Sequence, residues 1–186
     1  MALAPVTFRR SPYHWQGRAG QPIRIWVDHR VVGFLLGMRS AFGVRAGSPR
    51  NASSTFGIGH DPEQDPNPCP SCSSITGARG KLVVDQYVDL ADSAWANGDV
   101  REPTSAIVRS LPGVNPNTYC VSVEHEDGGE QGGGRVTPHI WEASMELTRL
   151  CTSGNLAAIR APGIRVSARP GKTAAQTVAE LARIPR

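Results

Sequence analysis

The sequence lacks a hydrophobic run long enough to cross a membrane. None of the apolar stretches in its 186 residues approaches the roughly 18 residues that a spanning helix needs. Residues 1–13 have no apolar core of signal-peptide length, and their arginines follow the apolar residues. We therefore expect neither a membrane span nor a Sec-type export signal.

A strong charge of one sign is also lacking. The chain has 20 basic and 16 acidic residues, a net charge of +4, which is compatible with anionic polymers or nucleic acid but selects neither. Aromatic residues make up 6% of the chain and do not interleave with basic residues as they do in single-strand binders. We expect no nucleic-acid partner. A small nucleic-acid binder that uses the basic C-terminal residues is a rival class, and it predicts steep salt dependence.

Cysteine is scarce, with four residues in the chain. Cys69 and Cys72 form a Cys-Pro-Ser-Cys sequence, while Cys120 and Cys151 are isolated. A zinc ribbon would need a second pair of this kind. A chain without an export signal is not expected to carry a disulfide framework, so the role of the Cys69–Cys72 pair stays open.

Alternating residues predict a strand over 121–126, Val-Ser-Val-Glu-His-Glu. The period of two is typical of a strand with one buried face. A carboxylate among buried valines costs free energy unless a partner pairs with it or a reaction uses it. Glu124 is therefore a candidate functional residue. The alternative is that Glu124 and Glu126 simply lie on a solvated face.

Three further strands are predicted, over residues 22–27, 55–59 and 81–88. The first is mostly apolar and leads into Asp28-His29. A histidine at the end of a buried strand can project into a site, or it can be a satisfied boundary residue. His125 points to the strand face opposite Glu124, so we do not expect it to be a ligand.

The clearest helix follows residue 137. Thr137 is an N-cap residue, and Pro138 occupies the first helical position, where its fixed φ and missing N–H cost nothing. One helical stripe contains Ile140, Ser144, Leu147 and Cys151. Strands and helix together predict an α/β fold, with a central mixed β-sheet flanked by helices and an irregular C-terminal tail.

The chain divides into three predicted parts. Residues 1–20 form an irregular arm, residues 21–152 form the domain, and residues 153–186 form a basic tail. Residues 60–80 are rich in Pro, Asp, Ser and Gly, so they predict an inserted surface loop that is disordered or lightly pinned.

Four stretches of the chain form an ordered set of motifs. They are residues 23–29 (Ile-Arg-Ile-Trp-Val-Asp-His), 53–59 (Ser-Ser-Thr-Phe-Gly-Ile-Gly), 86–98 (Gln-Tyr-Val-Asp-Leu-Ala-Asp-Ser-Ala-Trp-Ala-Asn-Gly) and 117–126 (Asn-Thr-Tyr-Cys-Val-Ser-Val-Glu-His-Glu). In this order they resemble the zinc-dependent N-acetylmuramoyl-L-alanine amidase family, the type-2 amidases related to peptidoglycan recognition proteins. The match covers about residues 8–152. The first stretch is similar to the strand that ends in a zinc-binding histidine, and the third to a strand followed by the Ala-Trp loop of the substrate groove.

The resemblance implies a role for each of four residues. His29 would be a ligand of a catalytic Zn²⁺, which lowers the pKa of its bound water to about 7. Glu124 would orient or deprotonate that water. Trp95 and Asn97 would line the groove that binds the glycan or stem peptide, although Trp95 can equally be a partly buried loop aromatic.

The sequence departs from the family after the helix. The family places its second and third zinc ligands there, but this chain has no histidine after His139. Three explanations stay open. In the first, other residues replace the ligands, for example His60, Cys69, Cys72 or Cys151. In the second, the chain is a metal-free binding module descended from an amidase. In the third, the coding frame shifts near Cys151; a one-base shift across residues 159–164 permits codons for Gly-His-x-Glu, which is consistent with this explanation.

The expected function is hydrolysis of the amide bond between N-acetylmuramic acid and L-alanine, with Zn²⁺ as cofactor and peptidoglycan as substrate. The alternative is an inactive peptidoglycan-binding module. We expect a monomer, either cytoplasmic or derived from a phage as an endolysin, that acts on the cell wall.

Overall fold

The computed structural model describes residues 6–47, 49–130 and 132–153. The strands in these ranges are β1 (Val6–Phe8), β2 (His14–Trp15), β3 (Ile25–Val31), β4 (Phe56–Asp61), β5 (Lys81–Gln86), β6 (Ser93–Ala94) and β7 (Cys120–Glu126). The helices are α1 (Leu35–Ala41), α2 (Ser73–Thr76), α3 (Ala106–Arg109), α4 (Pro116–Tyr119) and α5 (Pro138–Ser153). The predicted tail over 153–186 lies almost wholly outside the described residues.

Five strands form the main sheet, in the order β1-β5-β4-β7-β3. Strands β4 and β5 run antiparallel, whereas the other neighbouring pairs run parallel. Strands β2 and β6 form a separate antiparallel pair. The predicted α/β fold with a central mixed sheet is confirmed.

The predicted strands are present, with two differences that concern the site. Strand β3 begins at Ile25 and continues to Val31, so His29 lies inside the strand and not at its end. Strand β7 was expected to have one buried face, but every residue in it except Glu124 is buried. The difference arises because β7 lies between β4 and β3 and the sheet is covered on both sides.

Helix α5 covers one face of the sheet and helix α1 covers the other. The predicted apolar stripe of α5 is confirmed, since all four of its residues are buried. Burying a leucine or isoleucine side chain stabilises a fold by about 1.5–3 kcal/mol. No helix within the described ranges is long and apolar enough to span a membrane. The α5 side contains Phe56, Ile58, Val121, Val123, Ile140 and Leu147, and the α1 side contains Leu35, Met38, Val83, Tyr87 and Ala94.

The N-terminal segment contributes to the fold. Residues 6–8 extend the main sheet as β1, and residues 14–15 pair with β6. Arg18 is buried, and its guanidinium donates hydrogen bonds to the backbone carbonyls of Leu90 and Cys120. Burial lowers the pKa of Arg18 to about 10. The segment predicted as an irregular arm therefore packs against both halves of the chain.

Residues 60–80 differ from the expected surface loop. His60 and Asp61 complete β4, and both are buried. Cys69 and Cys72 are also buried, at 4% and 0% exposure. An isolated bridge between Pro68 and Arg79 closes the base of the turn that carries the two cysteines. The loop is pinned because its cysteines point inward.

A buried ionic network joins α1 to β4 and β5. Arg39 on α1 is 2% exposed, and it donates to Asp85 at 2.7 Å and to Asp61 at 2.8 Å. Burial disfavours the charged guanidinium, but the hydrogen bonds to Asp85 and Asp61 outweigh this effect and hold the pKa of Arg39 above its usual value. Both carboxylates are as deeply buried as the guanidinium.

Replacing Arg39 with alanine should therefore destabilise the fold strongly. The Arg39→Ala variant leaves the buried carboxylate of Asp61 without its cation and that of Asp85 with only the partly exposed Arg9, and breaking a buried pair in this way costs about 3–5 kcal/mol. Arg45→Ala is the matched control, because the exposed Arg45–Glu63 pair contributes about 1 kcal/mol or less. Urea denaturation measures both. Equal free energies of unfolding for the two variants would contradict the role of the network.

Candidate functional site

Glu124 and Glu126 of β7 lie on the same face of the strand, but each contacts a different group of polar side chains. Glu124 and Glu126 are separated by one residue, so their side chains leave the same side of the sheet. Glu126 is 1% exposed, which is incompatible with a solvated face. Glu124 is only partly buried. The alternative of two solvated glutamates is therefore wrong for Glu126.

The Glu126 carboxylate is held by three N–H groups. Its Oε2 accepts hydrogen bonds from the backbone N–H of Leu35 and of His60, each at 3.0 Å. Its Oε1 lies 2.8 Å from Nδ1 of His60. A methyl group at Gly59 would lie 2.7 Å from Glu126 Oε2. Glycine at position 59 thus leaves the space that the carboxylate fills.

His29 and Glu124 face each other across two parallel strands. They are direct partners in the β3–β7 register, so their side chains lie next to each other on the same face. Burial raises the pKa of the Glu124 carboxyl above its ordinary value, and the charge of His29 offsets part of this rise. A carboxyl group with a raised pKa can exchange a proton more readily near neutral pH.

The loop after β6 contacts His29 through Asn97. Asn97 Oδ1 lies 3.2 Å from Nε2 of His29, and Asn97 Nδ2 donates to Asn117 Oδ1 at 3.2 Å. Asn117 Oδ1 also accepts from the backbone N–H of Ala96 and of Asn97. These contacts fix which end of each amide is the oxygen. The Asn97 oxygen therefore faces His29 as an acceptor, and His29 Nε2 carries the proton that it accepts.

His125 lies on the other face of β7, as predicted. Its Nδ1 donates to the backbone carbonyl of His29 at 2.8 Å, and its Nε2 lies 2.8 Å from Ser144 Oγ on α5. Burial lowers the pKa of His125. His125 thus ties the backbone of His29 to α5 without facing Glu124.

Trp95 belongs to an aromatic group. Its ring centroid lies 5.7 Å from that of Tyr13 and 5.3 Å from that of Trp15. Its Nε1 is buried and has no hydrogen-bond partner among the described residues. Ser53 holds the Trp95 backbone, since its hydroxyl accepts from the Trp95 N–H at 2.9 Å. The structure thus places Asn97 and Glu124 beside His29. Trp95 lies in a separate aromatic group, and its role in substrate binding stays a prediction.

A second group of side chains lies at the end of β4 and the start of α5. Ligand atoms of His60, Cys69, Cys72 and His139 all lie within 4.8 Å of one another. Cys72 Sγ is 3.2 Å from Thr137 Oγ1 and 3.8 Å from His139 Nδ1. Burial raises the pKa of the Cys72 thiol to about 11. This donor set could hold a metal ion.

Sequence reasoning found three of these four residues among the replacement ligands, but it missed His139. Cys151 was also named there, and it packs in the α5 core instead. The sequence signal for His139 is weak, because it lies 67 positions after Cys72, which is outside the short ligand spacings that identify zinc motifs in a sequence.

A catalytic zinc at His29 would need at least two further protein ligands. Among the described residues, the group whose ligand atoms lie together does not include His29. The segment where the family places its remaining ligands follows α5 and lies outside the described residues. The described residues therefore do not fit a zinc site at His29.

The fold and these two groups define a mixed α/β protein with a histidine–carboxylate site and a separate set of metal-ligand side chains. No protein-family model matches the sequence, and no curated protein matches it. Among solved structures, the chain is similar to the crystal structure of a selenomethionine derivative of AmpD. The TM-score is 0.48 and the identity 16%, over 96% of this chain and 94% of that one. A likeness at this level decides nothing about activity.

Asn117 should be essential for the order of the Asn97 loop. Asn117→Ala leaves the N–H groups of Ala96 and Asn97 without their acceptor, which costs about 1–3 kcal/mol of unfolding free energy. Urea denaturation measures this loss, and amide hydrogen exchange should accelerate at Ala96 and Asn97. Asn67→Ala is the control, because Asn67 is exposed and contacts only Asp65 through its side chain. Unchanged exchange at both amides would contradict the assignment.

Proposed function

We propose that this chain hydrolyses the amide bond between the lactyl group of N-acetylmuramic acid and L-alanine in peptidoglycan. The observation that carries the proposal is the pairing of Glu124 with His29 on adjacent strands, beside the Asn97 loop. These residues come from three of the four sequence stretches that resemble the amidase family. Their proximity supports a common site.

Glu124 supplies the proton transfers of the reaction. Its carboxylate takes a proton from the attacking water, whose oxygen bonds to the lactyl carbonyl carbon. It then returns that proton to the alanine nitrogen as the C–N bond breaks. The products are a free lactyl carboxylate and a stem peptide with a free amino terminus. The burial that raises the pKa of Glu124 suits a group that must both accept and donate.

His29 and Asn97 position the reacting groups. The Asn117–Asn97–His29 chain of hydrogen bonds holds the imidazole in one orientation, and His125 holds the His29 backbone. A fixed imidazole beside the carboxylate reduces the cost of reorganisation during the reaction. The partly exposed aromatic group of Trp15 and Trp95 offers an apolar surface for the sugar rings.

The second candidate function is peptidoglycan binding without turnover. It is favoured by one observation, namely that the described residues give His29 no partner set for the catalytic metal that the family uses. The two candidates differ in their products. Binding alone predicts that the protein sediments with purified cell wall and releases no peptide.

The test compares Glu124→Gln with the wild type on purified muropeptides. Mass spectrometry of the released stem peptide should show a rate lower by about 10²–10⁴-fold in the variant, because general acid–base catalysis contributes that much. Glu142→Gln is the matched control, since Glu142 is an exposed carboxylate on α5, and it should keep the wild-type rate.

Two results would count against the amidase proposal. One is release of stem peptide by Glu124→Gln at the wild-type rate. The other is cell-wall binding by the folded wild type with no released peptide, which supports the binding module instead.

A further inference from the structure

We propose that His60, Cys69, Cys72 and His139 bind one Zn²⁺ ion as a structural centre, separate from the His29–Glu124 site. The proposal does not depend on the amidase activity. Two thiols and two imidazoles are the donor set of a tetrahedral zinc site. Three of the four residues are buried, and His139 is partly buried, so solvent has little access to the enclosed space.

The spacing of the donor atoms is close to that of a metal site. Zinc–ligand bonds of about 2.0–2.3 Å in a tetrahedron place the donors about 3.3–3.8 Å apart. Cys72 Sγ and His139 Nδ1 already lie 3.8 Å apart, and no pair of the four ligand atoms exceeds 4.8 Å. Side-chain shifts of about 1 Å are enough to close the remaining gaps.

His60 is oriented for coordination by Glu126. A carboxylate accepts hydrogen bonds, so the 2.8 Å contact from Glu126 Oε1 puts the proton of the His60 ring on Nδ1. Nε2 then presents its lone pair. This atom is buried and has no hydrogen-bond partner among the described residues. A carboxylate behind a ligand histidine is the usual outer partner of a zinc site, where it fixes the ring and raises its basicity.

The two cysteines are held by their own backbone. The N–H of Cys69 donates to Ala78 at 3.0 Å, and the N–H groups of Cys72 and Ser73 donate to the Cys69 carbonyl at 3.2 and 2.9 Å. The turn thus places both sulfur atoms on one side. Thr137 Oγ1, at 3.2 Å from Cys72 Sγ, can donate a hydrogen bond to a metal-bound thiolate.

The ion would join three segments that are distant in sequence. His60 ends β4, the two cysteines lie in the following loop, and His139 lies in the first turn of α5. Four protein ligands leave no open position for water or substrate, which is typical of a structural site and not of a catalytic one. Binding deprotonates the two thiols and releases two protons to solvent, while both imidazoles stay neutral.

Elemental analysis of the purified full chain, refolded or dialysed with excess zinc, tests the proposal. We expect about one zinc per chain in the wild type and in His29→Ala. We expect loss of zinc in Cys69→Ser/Cys72→Ser and at least a tenfold weaker affinity in His139→Ala. Cys120→Ser/Cys151→Ser is the matched control for removing two buried thiols, and a folded control should keep its zinc.

Folding of the variants is monitored separately, because loss of zinc could follow from unfolding. The His139→Cys variant replaces one zinc ligand with another, so it should bind zinc where His139→Ala binds it weakly. Limited proteolysis with trypsin gives a second readout. Chelation should accelerate cleavage after Arg79, which is exposed beside the pinned turn, and added zinc should restore protection.

Three results would overturn the proposal. Zinc that is lost in His29→Ala but kept in the double cysteine variant would place the ion at the other site. A folded wild type that binds no zinc would exclude the centre. Tryptic cleavage after Arg79 at one rate with and without zinc would show that no ion pins the turn.

Discussion

The buried carboxylate of Glu126 is the interaction on which both sites depend. It accepts hydrogen bonds from the first residue of α1, from the backbone of β4 and from the side chain of His60. A buried carboxylate is costly without such partners, and here three N–H groups compensate it. The same contact orients His60 towards the two cysteines and fixes β7 against β4.

The position of β7 also determines the geometry of the His29–Glu124 site. Glu124 faces His29 only in the observed register, because a shift by one residue would turn its side chain to the other face of the sheet. The Glu126 contacts at one end of β7 and the His125 contacts to α5 oppose such a shift. The strand thus carries one glutamate that anchors the fold and one, Glu124, that is left partly exposed.

Periodicity predicted the elements that have enough residues to show it. The alternation over 121–126 and the apolar stripe of α5 identified β7 and α5, and the apolar run before His29 identified β3. The short strands β1 and β2 have too few residues for a period. The burial of Glu126 could not be predicted, because two of its three partners are backbone N–H groups, and these leave no signature in side-chain type. His139 was missed as a member of the group around Cys69 and Cys72 for another reason: it approaches the two cysteines only after the sheet and α5 have packed.

X-ray absorption at the zinc edge tests the central claim most directly, that Glu126 orients His60 so that His60, Cys69, Cys72 and His139 hold a metal centre apart from the His29–Glu124 site. The account predicts two sulfur neighbours at about 2.3 Å and two nitrogen neighbours at about 2.0–2.1 Å. A shell of nitrogen and oxygen alone, without sulfur, would contradict it and would place the bound ion away from Cys69 and Cys72.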